Sequence, residues 1–267
     1  MPKPIRVFNI SNFMRQENPQ RGRNREFWQL NFDLFGEESL QADLEVLLVS
    51  LEIMLRFNPP QDAFTIKINN RRLLDDFLLN ILNVSETKKV EVTRLMDKFE
   101  KLNEDVFVEA AVELGLNNTQ QEQIRSWMNE TDIPKVESRG VTEIQELIAT
   151  FEQLDYGAYI TFAPGLVRGF DYYDGMIFEV FDNHPDNNRS MFGGGRYNGL
   201  ASLFGIDNFP AVGAAPGDET LSLFLKTWDL VPSEDIQNQV YVPLLVDNKE
   251  KVVSLAMTLR EKGLSVA

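Results

Sequence analysis

A cluster of arginines near the start of the chain could bind phosphate groups. The polar segment 15–25 contains Arg15, Arg21, Arg23 and Arg25. Guanidinium groups present planar sets of N–H donors that match phosphate oxygens. Residues 1–36 hold six basic and three acidic residues, whereas the whole chain carries a net charge of −15. A local cationic cluster in an acidic protein favours a specific anionic ligand, such as a nucleotide, over a general polyanion surface.

The next segment alternates apolar and polar residues. Residues 26–34, EFWQLNFDL, predict a strand with two unlike faces from this period of two. One face would carry Trp28, Leu30, Phe32 and Leu34, and the other would carry Phe27, Gln29, Asn31 and Asp33. The second face could bind a ligand beside the arginines, but a sheet with one solvated face produces the same alternation. The pattern alone leaves both interpretations open.

Two later segments combine charged, aromatic and glycine residues. The segment LVRGFDYYDGMIFEVF places Arg168 close to the paired Tyr172 and Tyr173, ahead of an apolar strand. The segment FGGGRYNGL has three successive glycines before Arg196 and Tyr197. Such glycines permit the close approach of a ligand or of a neighbouring strand. A tight hairpin is the alternative interpretation of the glycine run.

Several common catalytic arrangements are absent from the sequence. No GxxxxGK[ST], GxGxxG, HExxH or GxSxG motif occurs. The chain has no cysteine, which excludes disulfides and thiolate metal sites, and its single histidine, His184, lies in a predicted turn. The apolar stretch 44–55 is interrupted by glutamates, so it predicts a core-facing helix and no membrane span. Because the first residues lack a signal-peptide pattern, we expect a cytoplasmic protein.

Hydrophobic periodicity predicts a mixture of strands and helices. Strands are predicted at 5–15, 26–34, 63–69, within 158–182 and near 190–193, and helices at 41–57 and 70–82. Residues 85–154 have a helical period and few glycines, which predicts a small helical insertion. After Pro232, a buried strand at Val240–Val246, a helix at Lys249–Lys262 and a strand from Leu264 predict the opening of an α/β unit.

In this order, the segments resemble the histidyl-tRNA synthetase family of class II synthetases. FMRQENPQRGRNREFWQ is similar to that family's motif 2, VRGFDYYDG to its histidine signature, GGGRYNGL to a companion segment and PAVGAAPGDETL to motif 3. The resemblance implies an α+β fold with a class II synthetase-type antiparallel sheet flanked by helices. It divides the chain into catalytic parts at 1–84 and 156–231, a helical insertion at 85–155 and a truncated anticodon-binding domain at 236–267.

The resemblance implies an activity, namely ATP-dependent activation of histidine and its transfer to tRNA(His). ATP, with Mg²⁺, would be bound by Arg15, Glu17, Arg23, Arg25 and Phe27. Histidine would be bound by Gln29, Asp33, Arg168, Tyr172, Tyr173 and Tyr197. Arg15 would hold the α-phosphate and Arg168 would neutralise charge as the histidine carboxylate attacks, so these two are the implied catalytic residues. Such an attack needs positioning and positive charge more than proton transfer.

The sequence also departs from the family pattern. Motif 1, which builds the dimer interface of the family, is absent, so a homodimer is implied only for the full-length protein. Thr220 stands where motif 3 has its arginine. One alternative is a non-catalytic paralogue that binds histidine, such as a regulatory subunit of ATP phosphoribosyltransferase. Another is a synthetase-like domain that senses tRNA. The retained Arg15, Glu17, Arg23 and Arg168 favour the enzyme.

Overall fold

A computed structural model describes most of the chain. The described residues are 3–16, 18–167, 172–187, 189–231, 240–243 and 249–266. They fall into two compact units, Met1–Leu230 and Val231–Ala267. The larger unit contains the β-sheet.

Seven strands of the described chain form one sheet. In chain order they are β1 (Ile5–Met14), β2 (Glu26–Phe35), β3 (Phe64–Asn70), β4 (Ile160–Phe162), β5 (Met176–Asp182), β6 (Arg189–Arg196) and β7 (Ala211–Ala214). Their order in the sheet is β1-β2-β7-β6-β5-β3-β4. Neighbouring strands are antiparallel except β3 and β4, which are parallel. The predicted α+β fold with an antiparallel sheet is therefore confirmed, with one parallel pair at its edge.

Helices are interspersed with these strands along the chain. In the larger unit they are α1 (Leu40–Leu55), α2 (Arg71–Asp76), α3 (Glu86–Lys98), α4 (Glu104–Glu113), α5 (Asn118–Met128), α6 (Arg139–Gln153) and α7 (Asp218–Thr227). A π-helical turn, Phe77–Ile81, extends α2. The stretch predicted to be helical thus contains α3 to α6, and its buried residues belong to the same core cluster as those of the sheet. Its status as a separate insertion domain stays a prediction.

The core lies between the sheet and two amphipathic helices, α1 and α6. Apolar residues recur on one side of α1, where Val46, Leu47, Leu51 and Met54 are buried. Helix α6 buries an equivalent stripe that includes Ile144, and it contacts β3, β4 and β5. This packing covers one face of the sheet and leaves the other face available for a site.

The alternation predicted for β2 is present, and its apolar face is buried along only part of the strand. Phe32 and Leu34 are 8% and 3% exposed and join the core, as predicted. Trp28 is on the same apolar face by this alternation, yet it is 53% exposed. It is exposed because β2 pairs there with β1, an edge strand whose Phe8 and Ile10 are also exposed. A strand's alternation fixes which face a residue occupies, whereas burial needs a covering element.

The smaller unit contains one helix, α8 (Lys249–Glu261), close to its predicted position. The predicted buried strand Val240–Val246 is not seen in the described residues 240–243, where Val240 forms only an isolated parallel bridge with Val266. Tyr241 is 75% exposed. Burial of this segment was therefore predicted wrongly for its described part, because an apolar run needs partner strands before it can be buried. Residues 244–248 lie outside the described residues. Throughout the described chain, no helix has the length and apolar character needed to cross a membrane.

Candidate active site

A cleft of about 990 Å³ opens on the sheet face opposite α1. Its walls come from the β1–β2 hairpin, from β5, β6 and β7, and from the first turn of α7. The inward face of β2 forms its floor because Phe27, Gln29, Asn31 and Asp33 all line the cleft. The shared strand face predicted from the alternation is therefore seen in the structure.

The end of the floor next to the hairpin loop carries a cation and an aromatic ring. The guanidinium carbon of Arg15 lies 4.4 Å from the centroid of the Phe27 ring. Arg15 also donates from Nη2 to Gln29 Oε1 over 3.3 Å. Gln29 Nε2 donates to Asn31 Oδ1 at 2.5 Å, and Asn31 Nδ2 donates to Asn9 Oδ1 at 2.9 Å. These bonds fix the amide orientations along the floor, so each group presents a defined donor or acceptor to a ligand.

A carboxylate surrounded by tyrosines forms the other end of the floor. Tyr197 donates a hydrogen bond from its hydroxyl to Asp33 Oδ1. The ring centroids of Tyr172 and Tyr173 are 4.8 Å apart, and they lie 6.1 Å and 6.3 Å from that of Tyr197. Both sides of this pocket are therefore aromatic, and the Asp33 carboxylate lies at its base.

Burial governs the protonation of these groups. It raises the pKa of the Asp33 carboxyl, although the hydrogen bond from Tyr197 acts in the opposite direction. Burial is also the largest cause of the raised pKa of Tyr197, and the nearby Asp33 carboxylate adds to it. The pKa values of Tyr172 and Tyr173 are raised as well, again mainly by burial. The tyrosines therefore remain neutral donors around the Asp33 carboxylate.

Glycine residues allow the strands to approach this carboxylate. A Cβ added at Gly213 would lie 2.2 Å from Asp33 Oδ1 and 2.7 Å from the carbonyl oxygen of Phe32. A Cβ at Gly194, in the middle of the glycine run, would lie 2.2 Å from the carbonyl oxygen of Gly213. The run therefore sits within the paired strands β6 and β7, and the tight hairpin considered from the sequence is not what these glycines form.

The loop between β1 and β2 folds over the opening of the cleft. Gln20 and Arg23 exchange backbone hydrogen bonds of 3.0 Å and 2.8 Å, and Gly22 has a φ of +70°. Arg23 lines the cleft, whereas Arg21 donates to the carbonyl oxygen of Asp186 at 3.1 Å and is not part of the lining. Of Arg21 and Arg23, both predicted to bind phosphate, Arg23 therefore lines the cleft and Arg21 does not.

Arg25 contributes its backbone to the base of the loop, where its carbonyl accepts a 2.7 Å hydrogen bond from the Arg15 amide. It is not part of the cleft lining, so its contact with ATP stays a prediction. Glu17 and Arg168 lie outside the described residues, and their roles also stay predictions. The other implied residues, Arg15, Phe27, Gln29, Asp33, Tyr172, Tyr173 and Tyr197, all line this one cleft.

Arg196, which follows the glycine run, is a structural residue. Its side chain and that of Asp43 are 3% and 2% exposed, and Arg196 Nε lies 3.0 Å from both Asp43 carboxylate oxygens. Its other nitrogens donate to the carbonyl oxygens of Glu37 and Ser39, each at 3.1 Å. Burial raises the pKa of Asp43 even though Arg196 acts to lower it. The pair fastens the end of β6 to α1 and directs the neighbouring Tyr197 toward the cleft.

Thr220 lies in the first turn of α7 and lines the cleft. Its hydroxyl donates to the carbonyl oxygen of Met191 at 2.7 Å, with the Gly217 carbonyl oxygen 3.3 Å away. The residue therefore ties α7 to β6. A threonine hydroxyl carries no charge and cannot replace an arginine at a phosphate.

Four further charged residues of the lining were not predicted from the sequence. They are Lys101, Glu179, Arg189 and Glu219. No local pattern marks them, because they come from the helical stretch, from β5, from β6 and from α7 and meet only in the folded chain. No group of three or more potential metal ligands occurs among the residues that the structure describes.

Comparison with known proteins identifies the family. The family model described as histidyl-tRNA synthetase matches residues 1–221. The chain belongs to the histidyl-tRNA synthetase family.

Curated relatives in this family carry the name histidine–tRNA ligase. The protein of Leptospira biflexa is 39% identical over 254 residues, which cover 93% of this chain and 58% of the relative. That of Haloarcula marismortui is 32% identical over 274 residues, which cover 98% of this chain and 62% of the relative. The chain thus spans about three fifths of the length of these curated relatives.

Solved structures share the fold of the family member described here. Histidyl-tRNA synthetase from Nostoc sp. PCC 7120 matches with a TM-score of 0.80 at 24% identity, covering 100% of this chain and 65% of that one. A protein from Bacillus halodurans described as an ATP phosphoribosyltransferase regulatory subunit/histidyl-tRNA synthetase matches with a TM-score of 0.76 at 20% identity, covering 100% of this chain and 68% of that one. At these identities the likeness shows the fold alone.

Proposed function

We propose that this chain is the greater part of the active site of a histidine–tRNA ligase. The reaction would join histidine to ATP as histidyl-adenylate, release pyrophosphate and then transfer the histidyl group to tRNA(His). One observation carries the proposal: a single strand, β2, presents a cation-lined end and a carboxylate–tyrosine end to the same cleft. A reaction between an anionic nucleotide and a small polar amino acid needs both ends.

The nucleotide would occupy the end beside the hairpin loop. Phe27 offers a ring on which adenine can stack, and Arg15 lies 4.4 Å from the centroid of that ring. Arg15 would hold the α-phosphate, and Arg23 would reach the outer phosphates. Glu17 and Arg25 are assigned to adenine and to phosphate from the family resemblance alone.

Histidine would occupy the carboxylate–tyrosine end. Tyr197 donates to Oδ1 of Asp33. Oδ2 accepts no hydrogen bond from the residues that the structure describes, and it would accept an imidazole N–H. Tyr172 and Tyr173 would flank the ring, and Gln29, held by Arg15 and Asn31, would offer an oriented amide. A buried polar pocket of this kind rejects apolar analogues because they leave its groups unpaired.

Adenylate formation here would depend on charge and position. The histidine carboxylate would attack the α-phosphorus in line while the bond to pyrophosphate breaks, and this step transfers no proton. Arg15 and Arg168 would stabilise the charge that accumulates on the phosphate oxygens. A tRNA hydroxyl would then attack the activated carboxyl group and release AMP.

The carboxylates of the cleft fit a magnesium ion bound together with ATP. Mg²⁺ is usually held by one or two carboxylates plus substrate phosphates, and both Glu179 and Glu219 line the cleft. These two residues would hold it, and the ion would neutralise part of the phosphate charge. A site shared with phosphate does not require three protein ligands.

ATP–pyrophosphate exchange by the purified protein tests the proposal. Exchange should require histidine, and other amino acids should not support it. A protein that binds histidine in calorimetry yet shows no histidine-dependent exchange would contradict the proposal. That result would favour a regulatory paralogue, the second candidate, for which the neutral Thr220 is the supporting observation.

The remaining partners follow from the same proposal. A longer protein containing this chain would bind tRNA(His) and act as a homodimer. Residues 236–267 would begin its anticodon-binding domain, residues 85–155 would be its helical insertion, and segments 1–84 and 156–231 its catalytic core. A cytoplasmic location would accord with this activity.

A further inference from the structure

We propose that Arg189 binds the outer phosphates of ATP in place of the arginine that Thr220 replaces. This inference rests on the proposed function, because it assigns a residue to the ATP end of that cleft. Arg189 begins β6, lines the cleft and lies at the opposite end of the strand from Arg196.

The two arginines of β6 differ in how their charge is used. The guanidinium of Arg196 is buried against Asp43 and donates to two carbonyl groups. Arg189 donates from Nη1 to the carbonyl oxygen of Arg21. The ion pairs found among the described residues do not include Arg189, so no described carboxylate neutralises it. A guanidinium has five donors, which leaves most of those on Arg189 for an anion in the cleft.

Arg189 reaches the part of the cleft that Thr220 occupies. Thr220 donates to the carbonyl oxygen of Met191, two residues along β6 from Arg189. The Cβ position of Gly22 lies 2.7 Å from Arg189 Nη1 and 3.3 Å from Leu223 Cδ2. Leu223 is one helical turn beyond Thr220 and therefore on the same side of α7. The Arg189 guanidinium and the α7 face that carries Thr220 therefore both lie close to Gly22 of the hairpin loop.

A guanidinium in this position restores the charge that Thr220 lacks. The first turn of α7 bears Asp218 and Glu219 and no cation, so the helix itself cannot hold an outer phosphate by charge. Arg189 lies on the neighbouring strand and Arg23 on the loop above it, and both line the cleft. The cation that would bind the outer phosphates is therefore carried by the adjacent strand and not by the helix.

Calorimetry with ATP and AMP tests this assignment in the purified protein. Arg189→Gln keeps a donor for the Arg21 carbonyl but removes the charge. It should weaken ATP binding about 10- to 100-fold, the effect of losing a charged hydrogen bond, and change AMP binding less than about twofold. Adding Thr220→Arg to Arg189→Gln should restore most of the ATP affinity. Arg56→Gln is the matched control, because Arg56 follows the last residue of α1, lies outside the cleft and has a side chain that is 83% exposed.

Each other outcome overturns a distinct statement. Unchanged ATP affinity in Arg189→Gln would overturn the role of Arg189 while leaving the proposed function intact. Equal losses for ATP and AMP, with no rescue by Thr220→Arg, would show that Arg189 only supports the hairpin loop. A wild-type protein that binds neither nucleotide would overturn the proposed function, and the role of Arg189 with it.

Discussion

Replacing Asp33 with asparagine should separate histidine binding from ATP binding. The substitution keeps the size of the side chain and removes the carboxylate that accepts a hydrogen bond from Tyr197, whose ring lies beside those of Tyr172 and Tyr173. A hydrogen bond to a charged group contributes about 1.5–3 kcal/mol. Histidine affinity should therefore fall by about 10- to 150-fold.

ATP binding should be almost unaffected by the same change. Phe27 and Asp33 lie on the same extended strand, which at about 3.3 Å per residue separates them by roughly 20 Å. Asp33 is therefore too far from the Phe27 ring to contact a base that stacks there, and the lost hydrogen bond should affect histidine and not the nucleotide. The ATP dissociation constant should change by less than about twofold.

Stability should not fall, and the reason is the direction of the pKa shift. Burial raises the pKa of Asp33 in the folded protein. The contribution of this carboxyl to stability is therefore fully present below its unfolded pKa and is lost as pH rises through its folded pKa. At neutral pH, Asp33→Asn should have a melting temperature equal to or above that of the wild type.

Separate calorimetric titrations with histidine and ATP measure both affinities, and thermal unfolding at pH 7 gives the stability. Tyr197→Phe is the control, because it removes the hydroxyl donor and leaves the carboxylate, so its loss of histidine affinity should be smaller. Equal losses for both ligands together with a lower melting temperature would refute the reasoning, since Asp33 would then support the fold.

Three further substitutions test how the site is held together. Gly213→Ala should displace Asp33 and weaken histidine binding at least tenfold, with about 1–3 kcal/mol of destabilisation from overpacking; unchanged affinity would contradict the close contact. Asp43→Ala should lower the free energy of unfolding in urea by about 3–5 kcal/mol, because it leaves Arg196 buried without its partner, and a loss below about 1 kcal/mol would argue against a buried pair. Phe27→Leu should raise the ATP Michaelis constant in pyrophosphate exchange and leave that of histidine within about twofold, whereas a larger change for histidine would remove Phe27 from the nucleotide end.

The floor of the cleft could be predicted from sequence because it is one strand. Alternation with a period of two assigns Phe27, Gln29 and Asp33 to one face whatever surrounds them. The same pattern could not predict the exposure of Trp28, because exposure depends on whether another element covers the strand. The apolar run that starts at Val240 likewise could not show whether it is buried. Burial needs neighbouring strands, and the described residues give this segment a single β-bridge.

The different roles of the two β6 arginines could not be predicted from their local sequence. Arg196 is neutralised by Asp43, which lies 153 positions earlier in the chain. Arg189 contacts the hairpin loop 168 positions away. The net charge that a cleft presents to a ligand depends on which of its cations are paired with carboxylates. Such pairs join residues that are far apart in sequence, so local patterns do not predict them. Arg196 belongs to a recognisable sequence motif because it follows the glycine run. Arg189, which lines the cleft, belongs to no such motif.

A cation on a neighbouring strand changes what the absence of the motif 3 arginine implies. The resemblance to motif 3 implies that Thr220 stands in place of a phosphate-binding arginine, and this departure favours a non-catalytic paralogue. A phosphate, however, responds to the position of positive charge and not to the element that carries it. Arg189 supplies a guanidinium from the strand to which Thr220 is hydrogen-bonded through Met191. The loss at Thr220 therefore argues against catalysis only if Arg189 fails to bind the outer phosphates.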